Sequence, residues 1–107
     1  MLGGTFSGLK PFELSILVKG KDGELLLAEP GKPTLELYLR EGRIFCARVG
    51  KDPLSWAELV TRCATFFRAR EVAFLFLKGV RPVHCSLILD RDAERLVQEA
   101  AELSPPS

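Results

Sequence analysis

The feature that most constrains the fold is a pair of short segments joined by a Glu-Gly dipeptide at positions 41 and 42. From Leu35 to Arg40, leucines alternate with polar or aromatic residues, a pattern typical of a strand with one buried face. Glu41-Gly42 suits a two-residue turn because glycine accepts a positive φ. The segment from Arg43 to Val49 can then return as a second strand. We therefore predict an antiparallel hairpin over residues 35–49.

A two-residue turn also fixes the register of this hairpin. It pairs four sets of facing residues: Arg40 with Arg43, Leu39 with Ile44, Tyr38 with Phe45, and Leu37 with Cys46. The same register turns one set of side chains toward the core: Leu35, Leu37, Leu39, Ile44 and Cys46. Tyr38 and Phe45 then form an aromatic pair on the reverse face, which needs either a covering element or a partner.

The rest of the chain supplies three helices and further strands. We predict five elements: a helix from Pro11 to Val18, a strand from Glu24 to Glu29, a helix from Asp52-Pro53 to Phe67, a strand from Glu71 to Leu77, and a closing helix through Ala93 to Leu103. Proline suits a first helical position, and Asp52 is placed to cap the second helix. The first helix is apolar around most of its circumference. Residues Val83 to Leu89 can form a short extended segment, which we leave open.

These elements predict an α+β domain in which a small, mostly antiparallel sheet packs with three helices. The expected order is helix, three strands, helix, strand, the open segment, and helix. With 107 residues the chain fits one domain, which we place at residues 1–103. Residues 104–107, Ser-Pro-Pro-Ser, are expected to fray.

The charge balance argues against several classes of partner. Fifteen basic residues face fourteen acidic ones, so the chain lacks the overall charge of a nucleic-acid or membrane-surface binder. Because no apolar run approaches about 18 residues and the N-terminus lacks signal-peptide features, we expect a cytoplasmic protein. Asparagine is absent and arginine outnumbers lysine nine to six, a bias seen in some heat-adapted proteins.

The cysteines and the single histidine do not predict catalysis. Cys46, Cys63 and Cys85 are scattered without a CxxC spacing, and we expect buried free thiols of a reducing compartment. His84 and Cys85 are adjacent in an extended segment and would point to opposite faces, although Cys46 with His84 stays geometrically open.

The acids Asp90, Asp92 and Glu94 suit the first turn of a helix better than a divalent cation. We predict no catalytic residue, no cofactor and no metal, and therefore no enzyme.

Three strings resemble a known family. They are Phe6-Ser7-Gly8-Leu9 before an apolar helix, the turn Lys21-Asp22-Gly23-Glu24-Leu25, and the hairpin string from Leu37 to Ala47. In this order they resemble the bacterial PATAN domain family, a domain of unknown function found alone or fused to response-regulator receiver domains and other signalling modules. The resemblance spans nearly the whole chain. It departs at Asp22, where the family usually has Thr, in a shorter first helix, and in the missing glycine before Glu71.

The resemblance implies a protein-interaction or signal-coupling module without an established catalytic residue set. We therefore expect a non-catalytic bacterial signalling or scaffold module that binds another signalling protein, self-association included. The residues expected to bind the partner are Tyr38, Arg40, Arg43, Phe45 and Trp56. Aromatic anchors with charged rims are typical of protein interfaces.

Two alternatives from other functional classes stay open. The first is a small-ligand or nucleotide sensor with a pocket between the sheet and the helices. The second, weaker alternative is a nucleic-acid adaptor that uses a local charge excess of +4, from five basic residues and one acidic residue: Arg62, Arg68, Arg70, Lys78 and Arg81 against Glu71. The nearby phenylalanines fit the core pattern better than base-stacking platforms, which argues against this alternative.

Overall fold

The computed structural model describes residues 2–81 and 85–103, and within these ranges it is an α+β domain, as predicted. Its elements in chain order are β1 (Leu2–Phe6), α1 (Pro11–Val18), β2 (Gly23–Ala28), β3 (Leu35–Arg40), β4 (Arg43–Val49), β5 (Asp52–Pro53), α2 (Trp56–Phe66), β6 (Val72–Lys78), β7 (Arg91–Asp92) and α3 (Ala93–Leu103). No helix in these ranges is long and apolar enough to cross a membrane.

All the strands belong to one antiparallel sheet. The strand order is β1-β6-β2-β3-β4, and the short strands β5 and β7 both pair with the outer edge of β4. Helix α3 packs against both α1 and α2. The core lies between this helical layer and one face of the sheet, where β2, β3 and β4 contribute buried side chains: Leu25, Leu27, Leu35, Leu37, Leu39, Ile44 and Ala47. The other face of the sheet is called the reverse face below.

The β3–β4 hairpin forms where it was predicted, and its turn has the expected geometry. Glu41 and Gly42 have φ values of 51° and 75°, and Arg40 faces Arg43 and Leu39 faces Ile44. Beyond these two pairs the predicted register is wrong. A β-bulge inserts Phe45 as an extra residue.

The bulge shifts every later pair of the hairpin by one residue. Tyr38 faces Cys46, not Phe45, and Leu37 faces Ala47, not Cys46. Because neighbouring strand residues point to opposite faces, Ala47 enters the core and Cys46 lies on the reverse face beside Tyr38. The prediction that Cys46 belongs to the core face is therefore wrong.

Strand β1 was not predicted, because two of its five residues are glycines, which disfavour strands. Packing against β6 explains why the strand forms. The Phe74 ring lies over Gly4 so closely that a Cβ there would approach it to 3.0 Å. The same ring packs against Phe6 with centroids 5.1 Å apart. Glycine at position 4 therefore makes room for an aromatic contact that holds β1 on the sheet.

Helix α2 begins three residues later than predicted. Asp52 and Pro53 form the short strand β5, and Ser55 caps the helix. The Ser55 hydroxyl accepts from the Glu58 N–H at 3.2 Å, while the Glu58 carboxylate accepts from the Ser55 N–H at 3.0 Å. This reciprocal pair is a capping box, and its bonds from Ser55 lower the pKa of Glu58.

Helix α1 and the segment before α3 show features that the sequence pattern did not specify. Helix α1 buries Leu14 and Leu17 but leaves Phe12 and Ile16 at 62% and 64% exposure. The open segment from Val83 begins at residues 82–84, which lie outside the described residues. From Cys85 to Leu89 the chain bends without forming a strand.

Gly23 is the position that tolerates a side chain least. Its φ is 147°, and a Cβ would collide with the carbonyl oxygen of Leu77 and lie 3.1 Å from the Gly79 nitrogen. We expect Gly23→Ala to lower the free energy of unfolding by about 3 kcal/mol, because backbone atoms must move. Gly50→Ala is the matched control, since Gly50 also has a positive φ but has open space around it.

For Gly50→Ala the expected loss is about 1 kcal/mol, from backbone conformation alone. Urea unfolding of the two variants and the parent protein measures the difference. Equal losses at both positions would contradict the close approach of β2 to the end of β6.

Candidate partner-binding cleft

The reverse face of the sheet combines apolar side chains with a polar network. Leu26, Leu75 and Leu77 are only partly buried there. The facing register places Leu26 beside both Glu36 and Leu75, and Glu24 beside Tyr38 and Leu77. No helix from the described part of the chain packs on this face, where the disulfide joins Cys46 to the segment after β6.

Tyr38 is the centre of this network and is almost completely buried, with 6% exposure. Burial is the main cause that raises its pKa to about 12, and a hydrogen bond with the Glu24 side chain adds to the shift. Beside it, Arg48 donates to the two Glu36 oxygens at 2.8 and 3.4 Å. That ion pair raises the pKa of Arg48. Tyr38 is therefore packed into the reverse face, and its ring is not exposed to solvent in the way that an interface anchor would be.

A cleft of about 510 Å³ opens at the end of the sheet where β3 and β6 end and β2 and β4 begin. We call it the hairpin cleft, and its walls are ten residues: Asp22, Gly23, Tyr38, Leu39, Arg40, Glu41, Phe45, Gly79, Val80 and Arg81. The bulge turns Phe45 into this wall, partly exposed. Val80 adds a second apolar side chain at 39% exposure. The cleft therefore offers a small apolar surface between polar rims.

Two arginines on the rim of the hairpin cleft lack an acidic partner. The Arg40 guanidinium lies over the Phe45 ring, 5.9 Å from its centroid. Neither Arg40 nor Arg81 makes an ion pair with any residue in ranges 2–81 and 85–103. Of the acids in the wall, Asp22 accepts a hydrogen bond from the Glu41 N–H. The carboxylate of Asp22 is thus engaged in holding the turn.

Arg43 lies at the same hairpin tip but is already paired. Its Nε donates to the Asp90 carboxylate at 2.9 Å, and its Nη2 donates to the Asp90 carbonyl. These contacts raise the pKa of Arg43. Like charges at Arg40 and Arg43 face each other across the turn, and Asp90 offsets that repulsion. Arg43 therefore helps to position the chain before α3.

Trp56 does not share a surface with Tyr38 and Phe45. It lies in the helical layer with 9% exposure and belongs to the core. Its indole N–H donates to both Glu99 oxygens at 3.2 Å, and the Arg91 guanidinium stacks 5.0 Å from the ring centroid. The predicted partner-binding set is therefore split, with Tyr38, Arg40 and Phe45 at the cleft, Arg43 at the tip, and Trp56 on the opposite side of the sheet.

The cysteines differ from expectation. Cys46 and Cys85 form a disulfide with Cα atoms 6.0 Å apart, so the prediction of three free thiols is wrong. The bond can form because the bulge places the Cys46 side chain on the reverse face. Cys63 is free and completely buried, and burial raises its pKa to about 12. Of the hypothetical Cys46–His84 pair, Cys46 is disulfide-bonded and His84 lies outside the described residues.

The disulfide fastens the segment after β6 onto β4. In addition, the Leu89 N–H donates to the Phe45 carbonyl at 2.8 Å. Sequence reasoning missed both contacts, because the spacing of two cysteines 39 residues apart says nothing about their approach. Val80 and Arg81 of the cleft were also missed as a surface, because they become neighbours of the hairpin only through the β2–β6 pairing.

The remaining candidate groups take part in internal contacts. The Asp92 carboxylate accepts from the Glu94 N–H at 3.0 Å, and Glu94 accepts from the Ser15 hydroxyl at 2.7 and 2.8 Å. Within the described ranges, no three His, Cys, Asp or Glu side chains are grouped to hold a metal ion. In the basic stretch, Arg62 and Arg68 donate to the backbone carbonyls of residues 33 and 103.

Comparisons with known proteins do not identify relatives of the chain. Neither a scan against protein-family models, nor a search of curated proteins, nor a search of solved structures returned a match. Function must therefore be argued from the residues and their geometry.

The reverse-face network predicts an abnormal titration of the single tyrosine. We expect Tyr38 to ionise near pH 12 in the folded protein, in place of its usual value near 10. Because the unfolded state loses this proton first, the free energy of unfolding should fall as the pH rises from about 10 to about 12. Tyrosinate absorbance measures the pKa directly, since the chain has one tyrosine.

Two variants test this pKa shift and its effect on stability. Glu24→Gln should lower the Tyr38 pKa only partway, because burial remains. Tyr38→Phe should flatten the decline of stability over the same pH range. An ordinary pKa near 10 in the folded parent protein would be inconsistent with a buried Tyr38.

The disulfide predicts a stability that depends on reductant. Reduction should lower the free energy of unfolding by about 3 kcal/mol, because it releases a constraint on the unfolded chain. Urea unfolding with and without a thiol reductant measures the loss, and intact-mass analysis after alkylation counts the free thiols. The double variant Cys46→Ser with Cys85→Ser should be insensitive to reductant. More than one alkylated thiol in the protein unfolded without reductant would disprove the bond.

Proposed function

We propose that the protein is a non-catalytic interaction module that binds another protein at the hairpin cleft. The observation that carries the proposal is a pair of exposed arginines, Arg40 and Arg81, which make no ion pair with the described residues and lie beside the apolar side chains of Phe45 and Val80. A partner segment with a carboxylate and an adjacent apolar side chain satisfies both parts of this surface.

The cleft has a rigid floor and a charged rim, which suits recognition of a protein segment. Tyr38 is fixed by burial and by its hydrogen bond with Glu24. Phe45 is fixed by the bulge and by the hydrogen bond from Leu89. A preorganised surface loses little conformational entropy on binding. The positive charges of Arg40 and Arg81 on the rim can attract an acidic partner and fix its orientation.

The burial and disulfide bonding of the cysteines support a non-catalytic role. A thiol nucleophile must ionise near neutral pH and reach its substrate. Cys63 has a pKa of about 12 and is completely buried, while Cys46 and Cys85 are joined to each other. None of the three has the properties of a catalytic nucleophile in the described structure.

The cellular setting of this module rests on the family resemblance. The strings around Phe6, Asp22 and the hairpin resemble the bacterial PATAN family, which is the basis for proposing a signalling partner. In the folded chain, the string around Asp22 and the hairpin string contact each other. Asp22 holds the Glu41 N–H of the hairpin turn, and the Gly42 N–H donates to the Lys21 carbonyl at 3.2 Å. Asp22 thus stabilises the hairpin turn by accepting this hydrogen bond.

A small anionic ligand is the second candidate, because the cleft volume of about 510 Å³ lies in the range of ligand pockets. Two unpaired guanidinium groups on its rim are suited to a carboxylate or a phosphate. The cleft lies on the reverse face, whereas the sensor hypothesis expected a pocket between sheet and helices. A thermal shift on addition of a nucleotide or a dicarboxylate would favour this candidate over a protein segment.

The proposal predicts that Arg40→Glu abolishes partner capture while leaving the fold intact. Arg40 is exposed, and within residues 2–81 and 85–103 its side chain is recorded in contact with the Phe45 ring alone, so its replacement changes the charge of the rim. Affinity capture from an extract, followed by mass spectrometry, compares the parent protein with the variant. Circular dichroism confirms that the variant is folded.

Arg70→Glu is the matched control, because Arg70 is also exposed but precedes β6 at its other end. It makes the same change in net charge away from the cleft. A partner held by the parent protein and by Arg70→Glu, but lost by Arg40→Glu, is the expected result. A partner retained equally by both variants would exclude the cleft as its binding site.

A further inference from the structure

The two edges of the sheet differ in how their backbone groups are used. The outer edge of β4 is occupied along its length. Strand β7 pairs with its first two residues, and strand β5 pairs with Arg48 and Val49. Between them, the Phe45 carbonyl accepts from the Leu89 N–H at 2.8 Å and the Ala47 carbonyl accepts from the Leu54 N–H at 3.0 Å. This edge has no room for another strand.

The outer edge of β1 is open. No strand pairs with it in ranges 2–81 and 85–103, and β1 is the terminal strand of the sheet. In an antiparallel ladder, alternate residues direct their N–H and C=O groups away from the neighbouring strand. Natural edge strands are blocked by charges, prolines or covering segments. Residues 2–6, Leu-Gly-Gly-Thr-Phe, contain neither a charge nor a proline.

We propose that two copies of this chain associate through their β1 edges, antiparallel and related by a two-fold axis at Gly4. This pairing sets Gly4 opposite Gly4 and Gly3 opposite Thr5. It also sets Leu2 of each copy opposite Phe6 of the other. The two sheets then continue into one, and the outward backbone groups of both β1 strands are hydrogen-bonded.

The side chains of β1 are self-complementary about this axis. Leu2 pairs with Phe76 and Phe6 pairs with Val72, so Leu2 and Phe6 both lie on the core side of the sheet. Leu2 is 56% exposed in the single chain, whereas Phe6 is partly buried against Phe74. In the pair, each Leu2 is covered by the Phe6 of the second copy. No like charges meet at the axis, and the glycines allow the backbones to approach closely.

A second copy is therefore the occupant that the strand itself specifies, and the association is independent of the hairpin cleft. The two surfaces share no residue, because none of the cleft walls belongs to β1 and the proposed association uses the outer edge of β1. Loss of one function by substitution should leave the other unchanged.

The test is the oligomeric state of the full chain without an N-terminal tag, measured by sedimentation equilibrium over a range of concentrations. The parent protein should dimerise. Leu2→Lys should weaken the dimer by on the order of tenfold, because the change removes an apolar contact and adds a charge twice per interface. Since Leu2 is mostly exposed in the single chain, the variant should fold normally.

Ile16→Lys is the matched control, because Ile16 is 64% exposed on α1 and lies away from the β1 edge. It should dimerise like the parent protein. Hydrogen exchange provides the second measurement: amides of residues 2–6 should exchange more slowly at high protein concentration than at low concentration. A monomer at every concentration, a dimer without this protection, or a dimer insensitive to Leu2→Lys would each overturn the proposal.

Discussion

The β-bulge at Phe45 is the constraint on which the arrangement of both sheet faces depends. Without it, a two-residue turn at Glu41-Gly42 would place Cys46 in the core and Ala47 on the reverse face. With it, Ala47 packs beneath the helices, while Cys46 lies beside Tyr38 and can bond with Cys85. One inserted residue therefore exchanges the faces of every later residue in β4, since side chains alternate along a strand.

The chemistry of the reverse face follows from this exchange. Tyr38 is enclosed and hydrogen-bonds with Glu24, and Arg48 meets Glu36, so the polar groups of an otherwise uncovered face satisfy one another. The disulfide and the Leu89 hydrogen bond draw the segment after β6 toward β4. The hairpin cleft lies beside that segment, and among the described residues its rim carries two arginines, Arg40 and Arg81, that make no ion pair. The proposed binding site is thus a consequence of how the hairpin is built.

Local signals in the sequence predict most of the fold and little of the site. The alternation of leucines predicts β3, and Glu41-Gly42 predicts the turn. Both predictions succeed because these structures are determined by residues that are neighbours in the sequence. The start of α2 was predicted too early, because Asp52-Pro53 resembles a helix start, whereas the helix is capped by Ser55 and Glu58. Strand β1, the bulge and the disulfide depend on contacts between distant segments. Composition and periodicity do not encode such contacts, and Trp56 was misplaced for the same reason.

Cross-strand nuclear Overhauser effects in the β3–β4 hairpin test this account most directly, because they report which backbone atoms face each other. The structure requires contacts between Tyr38 and Cys46 and between Leu37 and Ala47. An unbulged hairpin would instead give contacts between Tyr38 and Phe45 and between Leu37 and Cys46. The first set would support the bulge and the face assignments that follow from it. The second set would contradict the disulfide, the position of Phe45 and the proposed cleft together.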